Sequence, residues 1–195
     1  MIENTRLGIP LFLAEEAPHG HMAIGTTVFP TGIGMAATWS PTLIEEVGNV
    51  IAKEIRSQGA HISYGPVLDL SRDPRWSRVE ETFGEDPVLS GRLGAAMILG
   101  LGSGDLSCEY ATIATLKHFL AYAVPEGGQN GNYASVGTRD LHENFLPPFR
   151  EAIDAGALSV MTSYNSIDGV PCTANHYLLT QLLRKLSGRF RGLFV

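Results

Sequence analysis

The stretch that decides the fold is residues 40–64, which read SPTLIEEVGNVIAKEIRSQGAHISY. Apolar residues recur in it at every fourth position: Leu43, Val47, Ile51 and Ile55. That spacing predicts a helix with one buried face. Ser40 followed by Pro41 is typical of a helix N-terminus, and Gly59 is typical of a helix end. The apolar run at 61–64 then predicts a strand, so the stretch is a helix–strand unit.

The same unit recurs along the chain. Short apolar runs predict five strands, at residues 9–13, 61–64, 113–116, 159–162 and 193–195. Helical spacing between them predicts three more helices, which carry Leu89, Leu93 and Met97; Leu141, Phe145, Phe149 and Ile153; and Leu178, Leu179, Leu182, Leu183 and Leu186. Asp86 and Thr138 are the predicted N-caps of the second and third helices, and Pro147 is expected to bend the third.

Alternating strands and helices indicate an α/β fold with a parallel sheet and helical crossovers. The leading prediction is a (β/α) barrel of the TIM type, here partial. A doubly wound sheet is the alternative, but the segment after Leu13, AEEAPHGHMAIGTTVFPTG, lacks a glycine-rich phosphate-binding loop. In a barrel, the residues that follow the strands form the active site.

Composition excludes several classes of function. The chain has 195 residues, with 14 Lys and Arg against 20 Asp and Glu, so the formal net charge is −6. No basic run could neutralise a string of phosphates, which argues against a nucleic-acid partner. No apolar stretch is long enough for a membrane span, and no targeting signal is visible. Cys108 and Cys172 are too few for a disulfide framework and are expected to be buried thiols.

Charged and polar residues follow the first four predicted strands. They are Glu15, Glu16, His19 and His21; Asp69, Arg72, Asp73, Arg75, Arg78, Glu80 and Glu81; Lys117 and His118; and Tyr164, Asn165 and Asp168. Carboxylate, ammonium, imidazole and guanidinium groups around one mouth could hydrogen-bond a polyhydroxylated ligand, so a sugar is the expected partner.

Several of these residues have a structural alternative. Lys117 ends an apolar strand, where a charge is hard to bury without a function, so it is assigned to the site. His118 shares that position, although a core histidine bonded to the backbone would also fit. Tyr164 and Trp76 could be core aromatics, and the arginine-rich turn around Arg72 could be a salt-bridged loop.

Ordered motifs run from Arg6 to Val195 and resemble one known family. They read RLGIPLFLAEEAPHG, TVFP, AATWSP, GPVLDLSRDPRWSRVEETFGEDP, ATLKHFLAY, NFLPPFREAIDAGALSVMTSYNSIDGVP and TANHYLLTQLLR. The chain resembles the N-terminal barrel domain of glycoside hydrolase family three, chiefly bacterial β-glucosidases. The resemblance implies retaining hydrolysis that releases terminal β-D-glucose from oligosaccharides, without a cofactor or a metal. It leaves the bacterial periplasm and cytoplasm both open.

The resemblance also implies roles for five residues. Glu16 matches the position of an Asp that binds hydroxyls of the non-reducing-end sugar. Arg78 matches the last arginine of the family's RDPRWxR motif, and Lys117 and His118 match the family's adjacent Lys-His pair. Tyr164 matches an aromatic residue near the nucleophile. Together these form the expected substrate-binding set.

The two carboxyl groups of a retaining glycosidase are expected outside residues 1–195. The family resemblance places the nucleophilic Asp directly after the strand that ends at Val195, and the acid/base in a second, α/β sandwich domain. Residues 1–195 are therefore expected to be a partial barrel domain that is inactive alone. Gln129 and Ser77 depart from the family, where many relatives have a sugar-contacting Arg and a Gly.

Three alternatives remain open at this point. Glu16 is also found in β-xylosidases of the same family, where its longer side chain fills the space of a hydroxymethyl group. His19, His21 and Lys117 imitate the metal ligands of a metal-dependent amidohydrolase. A fragment without catalytic activity is the third.

Overall fold

The computed structural model describes residues 2–186 and 190–195. Its strands are β1 (Ala14–Glu16), β2 (Ile62–Val67), β3 (Ile113–Phe119), β4 (Ser159–Thr162), β5 (Ser166–Ile167), β6 (Val170–Pro171) and β7 (Leu193–Phe194). Its α-helices are α1 (Gly32–Ala36), α2 (Pro41–Ser57), α3 (Pro87–Leu101), α4 (Thr138–Asp140) and α5 (Leu146–Asp154). Two π-helices, π1 (Leu141–Phe145) and π2 (Tyr177–Leu186), complete the main elements.

The five principal strands form one parallel sheet in the order β1-β2-β3-β4-β7. Neighbours in the sheet follow the order of the chain, without the reversal that defines a doubly wound sheet. Helix α2 packs on α3, and α3 packs on α5, so successive crossovers lie side by side. This arrangement confirms the predicted parallel α/β fold of partial (β/α) barrel type and removes the doubly wound alternative.

Local sequence signals explain the two long helices. The Ser40 hydroxyl accepts a hydrogen bond from the Leu43 N–H at 3.3 Å, and an Asp86 carboxylate oxygen accepts one from Leu89 at 2.7 Å. Both N-caps are followed by proline, which suits the first helical position because it needs no N–H donor there. The helices cross closely at Gly100, where a Cβ would clash with the Glu45 backbone. Both predicted caps are thus confirmed.

The core lies between the sheet and these helices. Ile44, Ile51, Ile55, Leu93 and Leu116 are all inaccessible to solvent. Leu43 was expected on the buried stripe of α2, but it is 42% exposed. The buried face of α2 therefore begins at Ile44 and continues through Val47, Ile51 and Ile55, which belong to the hydrophobic core.

The first strand begins later than predicted. Residues 9–13 were expected to form it, yet the strand pairs only at Ala14–Glu16. Leu13 marks the transition, because its carbonyl accepts hydrogen bonds from the N–H groups of His61 and Ile62. The apolar side chains before it remain exposed, with Phe12 at 63%. The shift matters for function because it places Glu16 at the carboxyl end of β1.

The third predicted helix is divided into α4, π1 and α5, which agrees with the expected bend near Pro147. Thr138, however, is not the N-cap. Gly137 occupies that position, and no side chain caps the helix. The short hairpin β5–β6, which turns at Asp168 and Gly169, was not predicted.

The cysteines differ from each other in environment. Cys172 is buried as expected, whereas Cys108 is exposed in the turn between α3 and β3, so the expectation was wrong for Cys108. Within residues 2–186 and 190–195, no helix combines the length and apolarity needed to cross a membrane.

Candidate functional site

The candidate site lies at the carboxyl ends of the parallel strands. Glu16 ends β1, and Asp69 follows β2. Lys117 and His118 lie near the carboxyl end of β3, and Tyr164 follows β4. Because parallel strands end at the same edge, residues that are far apart in sequence meet there. Four of the five predicted substrate-binding residues, Glu16, Lys117, His118 and Tyr164, lie at or just after these strand ends, and Arg78 lies in the longer segment that follows β2.

Lys117 and Glu16 form the central ion pair. The Lys117 ammonium donates to the Glu16 carboxylate at 2.6 Å, across 101 positions of sequence. The Lys117 side chain is only 1% exposed, whereas that of Glu16 is 49% exposed. The carboxylate therefore faces both the buried ammonium and open space, where it can accept hydrogen bonds from a ligand.

His118 is bound by the carboxylate of Asp69. The Asp69 Oδ2 atom lies 2.7 Å from His118 Nδ1 and also accepts the His118 backbone N–H at 3.1 Å. Both side chains are almost inaccessible, at 0% for Asp69 and 3% for His118. One carboxylate oxygen thus bonds both the ring and the backbone N–H of His118, which restrains the imidazole more than a single side-chain contact would.

Arg78 is fixed by Glu81 in a bidentate ion pair. Its Nε and Nη2 atoms donate to the two carboxylate oxygens at 2.6 and 2.8 Å. Burial alone would lower the pKa of Arg78, but the hydrogen bonds and charge of Glu81 outweigh it and raise that pKa. Burial would raise the pKa of Glu81, but Arg78, with smaller contributions from Lys117 and His118, lowers it below 4.5. Arg78 is therefore a permanent, oriented cation.

An aromatic cluster connects these groups. The Tyr122 ring makes edge contacts with Trp76, His118 and Tyr164, at centroid distances of 5.2, 4.9 and 5.8 Å. The Arg78 guanidinium lies 5.6 Å from the same ring centroid. Burial raises the pKa of the Tyr122 phenol, which stays neutral. Tyr122 thus joins the Arg78 side of the site to the Lys117–His118 side.

The sequence left open whether Trp76 and Tyr164 belong to the core or to the site, and the structure gives a different answer for each. Trp76 is 2% exposed, and its Nε1 donates to the Asn130 side-chain oxygen at 2.9 Å. It is a core aromatic that joins two loops of the site. Tyr164 is 72% exposed, so it is available to a ligand.

The rest of the arginine-rich turn has the structural role that sequence alone left open. Arg75 pairs with Asp73 at 2.7 Å, and this partner lowers the pKa of Asp73 to about 2. Arg72 pairs with Asp140 at 3.1 Å. These pairs are peripheral to the Tyr122 cluster, whereas Arg78 contacts it.

His19, His21 and Lys117 do not form the metal site of an amidohydrolase. The His19 ring lies 3.1 Å from the Phe29 carbonyl oxygen, and the His21 ring lies 3.3 Å from the Gln58 side chain. The Lys117 ammonium forms an ion pair with Glu16. Within the described residues, no three His, Cys, Asp or Glu side chains are arranged to hold a metal ion. The geometry therefore gives the amidohydrolase alternative no support.

Two residues of the site were missed from the sequence. Asp69 stood among many charged residues after β2, and nothing in its spacing marked it as the partner of His118. Tyr122 lies inside the apolar run ATLKHFLAY, where an aromatic residue is easily assigned to the core. A tyrosine five residues after Lys117, in a run that is otherwise mostly apolar, is the signal that could have identified it.

The arrangement suits recognition of a polyhydroxylated ring. Ionised Glu16 accepts hydrogen bonds, while Lys117 and Arg78 donate them, and charge assistance strengthens both kinds. The exposed face of Tyr164 offers an apolar surface for the C–H groups of a sugar.

Curated proteins similar to this chain include β-glucosidases and β-xylosidases. A periplasmic β-glucosidase of Salmonella typhimurium is 36% identical over 191 residues, covering 98% of this chain and 24% of that protein. A β-xylosidase of Formosa agariphila is 42% identical over 201 residues, covering 98% of this chain and 28% of that protein. The chain thus spans about a quarter of the length of these relatives.

Solved structures show the same fold. A β-glucosidase from Listeria innocua in complex with glucose superposes with a TM-score of 0.94 at 38% identity, covering 100% of this chain and 27% of that one. A mutant of the Listeria innocua enzyme in complex with laminaribiose gives a TM-score of 0.94 at 38% identity, covering 100% and 26%. The family model for the glycosyl hydrolase family 3 N-terminal domain matches residues 1–195, and this chain therefore belongs to glycosyl hydrolase family 3.

Proposed function

We propose that the protein containing this chain is a retaining glycoside hydrolase of the β-glucosidase type. It releases terminal, non-reducing β-D-glucose from oligosaccharides or glycosides, and this chain supplies the sugar-binding half of its site. The observation that carries the proposal is the Lys117 ammonium, 1% exposed at the end of β3 and 2.6 Å from the half-exposed Glu16 carboxylate. A buried ammonium is costly to keep, and recognition of hydroxyl groups accounts for its presence.

The proposed binding set is Glu16, Arg78, Lys117, His118 and Tyr164. Glu16 accepts from sugar hydroxyls, and Lys117 and Arg78 donate to hydroxyl oxygens. His118 contributes a ring nitrogen, and Tyr164 packs against the sugar. Several of these contacts tighten when the ring flattens toward an oxocarbenium-like transition state, so they lower the barrier as well as bind.

The bond-breaking groups are proposed to lie elsewhere in the protein. Retention needs two carboxyl groups about 5 to 5.5 Å apart, a nucleophile and an acid/base. Glu16, Glu81 and Asp69 are engaged with Lys117, Arg78 and His118. We propose that the nucleophile is an Asp directly after Val195 and that a second domain supplies the acid/base. Residues 1–195 are then a partial barrel domain without turnover of their own.

The Listeria innocua structures support a glucose-type ligand, because that enzyme is crystallised with glucose and with laminaribiose. One observation favours a second candidate, a β-xylosidase. Glu16 stands where an Asp is usual, and its longer side chain would occupy the space of the glucose hydroxymethyl group. The Formosa agariphila β-xylosidase is 42% identical to this chain.

The experiment compares kcat/KM on an aryl β-glucoside and an aryl β-xyloside, using the enzyme that contains this chain. A preference for the glucoside with net retention at the anomeric carbon supports the proposal, whereas a clear preference for the xyloside overturns it in favour of the second candidate. Arg78→Ala is expected to lower kcat/KM at least ~100-fold. Arg72→Ala, which removes the Asp140 ion pair and a contact with the Phe145 ring away from the Tyr122 cluster, is the matched control.

A further inference from the structure

Asp69 is a buried carboxylate that the sugar-binding set does not use. Its side chain is completely inaccessible, and its Oδ2 atom receives both hydrogen bonds from His118. Its other oxygen, Oδ1, is also buried and has no hydrogen-bond partner within the described residues. Such an arrangement is expensive for stability, because a buried charge with an unpaired oxygen loses its hydration without full replacement. Stability alone gives no reason for a carboxylate here.

The contact decides which nitrogen of His118 carries a proton. An ionised carboxylate only accepts hydrogen bonds, so Nδ1 must be the N–H donor. The backbone N–H bond to the same Oδ2 fixes the carboxylate relative to the main chain, and the Tyr122 edge, at 4.9 Å and 74°, restricts rotation of the imidazole. Within the described part of the chain, Nε2 of His118 has no hydrogen-bond partner.

We propose that Asp69 is a positioning residue, which holds His118 in the Nδ1–H tautomer and in one ring orientation so that Nε2 is offered to a hydroxyl of the bound sugar. With its proton on Nδ1, the His118 ring accepts a hydrogen bond from that hydroxyl at Nε2. Asp69 does not touch the sugar and acts only through His118. The inference rests on the proposed function for the identity of the ligand, but not for the tautomer.

The test uses two substitutions of Asp69 with different hydrogen-bonding capacity. Asp69→Leu removes the acceptor, whereas Asp69→Asn keeps an oxygen that can accept from Nδ1–H. We expect Asp69→Leu to lower kcat/KM on an aryl β-glucoside about 10- to 100-fold, the usual range for a group that orients a ligating histidine. Asp69→Asn should retain most of the activity. Asp73→Asn, which alters a carboxylate that pairs with Arg75 away from His118, is the matched control.

A double-mutant cycle separates positioning from a general structural role. In a His118→Gln background, Asp69→Leu should cost nothing further, because the group it orients is already gone. The same fold-loss with and without His118 would overturn the proposal. Asp69→Leu leaves the His118 Nδ1–H and backbone N–H buried without an acceptor, so it is expected to lower the midpoint of thermal unfolding. Asp69→Asn keeps an accepting oxygen and should leave that midpoint nearly unchanged, so a collapse of the midpoint in Asp69→Asn would also count against the proposal.

The tautomer is measured without turnover. In ¹⁵N-histidine-labelled protein, the two ring-nitrogen chemical shifts of His118, assigned from the signal lost in His118→Gln, should show the proton on Nδ1. A proton on Nε2 in the parent protein would overturn the inference. If the parent hydrolyses no β-glycoside while the Nδ1–H signal is present and lost in Asp69→Leu, the proposed function fails and the positioning of His118 stands.

Discussion

Replacement of Lys117 by methionine tests whether the buried ion pair serves function and not stability. Methionine has nearly the same length and fills the same space, so the substitution removes the charge without leaving a large cavity. In a fully buried pair, loss of one partner costs about 3–5 kcal/mol, because the other charge is left without compensation. Here the surviving carboxylate, Glu16, is 49% exposed and can be hydrated.

The expected change in the free energy of unfolding is therefore small, within about 1 kcal/mol of the parent, as for exposed ion pairs. The expected change in catalysis is large. A hydrogen bond from a charged group contributes about 1.5–3 kcal/mol, and Lys117 is expected to make its strongest contacts in the transition state. Loss of about 2.8 kcal/mol corresponds to a 100-fold lower kcat/KM.

Urea-induced unfolding gives the first quantity, and initial rates on an aryl β-glucoside give the second. Lys53→Met, on the exposed face of α2, is the matched control and should change neither. Loss of more than about 3 kcal/mol of stability would mean that the pair is structural. Activity within threefold of the parent would mean that the site is placed wrongly.

Two further predictions concern the scaffold around the site. Leu93→Ala, at a side chain with no solvent exposure in α3, should lower the free energy of unfolding by about 2–5 kcal/mol in urea titrations, while Leu99→Ala on the exposed side should change it by less than about 0.5 kcal/mol. The Arg78–Glu81 pair should make stability depend on pH, because Glu81 has a folded-state pKa below its ordinary 4.5. The stabilising contribution of ionised Glu81 should be complete above pH 4.5 and disappear as the pH falls through the lower folded value. In Glu81→Gln this part of the acid dependence should be absent in urea titrations across pH 3–6, and an unchanged acid dependence would show that other carboxylates account for it.

The sequence was sufficient for the fold where a local signal and a packing need coincide. Ser40 and Asp86 cap α2 and α3 as predicted, since a capping oxygen followed by proline is a purely local device. The position of β1 was not local, because its bounds depend on where Leu13 meets His61 and Ile62 of the next strand. The hairpin at Asp168 and Gly169 had a usable signal, an Asp-Gly turn between short apolar segments.

The site was predictable in outline for a topological reason. Glu16 and Lys117 are 101 residues apart, yet both end parallel strands, and the alternation of strands and helices places such ends on one edge. The contacts between residues that follow the strands were not predictable in the same way. The conformation of a loop decides that Arg78 meets Glu81 while Arg75 meets Asp73, and nothing in the turn RDPRWSRVEE distinguishes these arginines by composition.

The distribution of charge gives a physical argument for where function resides. Lys117 and Asp69 are the most buried charged side chains of the site, and each is unfavourable for folding by itself. Asp69 Oδ1 is buried without a hydrogen-bond partner within the described residues. Elsewhere, charged side chains such as Arg75 and Asp73 pair at the surface, where hydration makes the pairs nearly neutral for stability. Buried charges collected at one edge of the sheet are unfavourable for folding, and a ligand-binding role for that edge accounts for their presence.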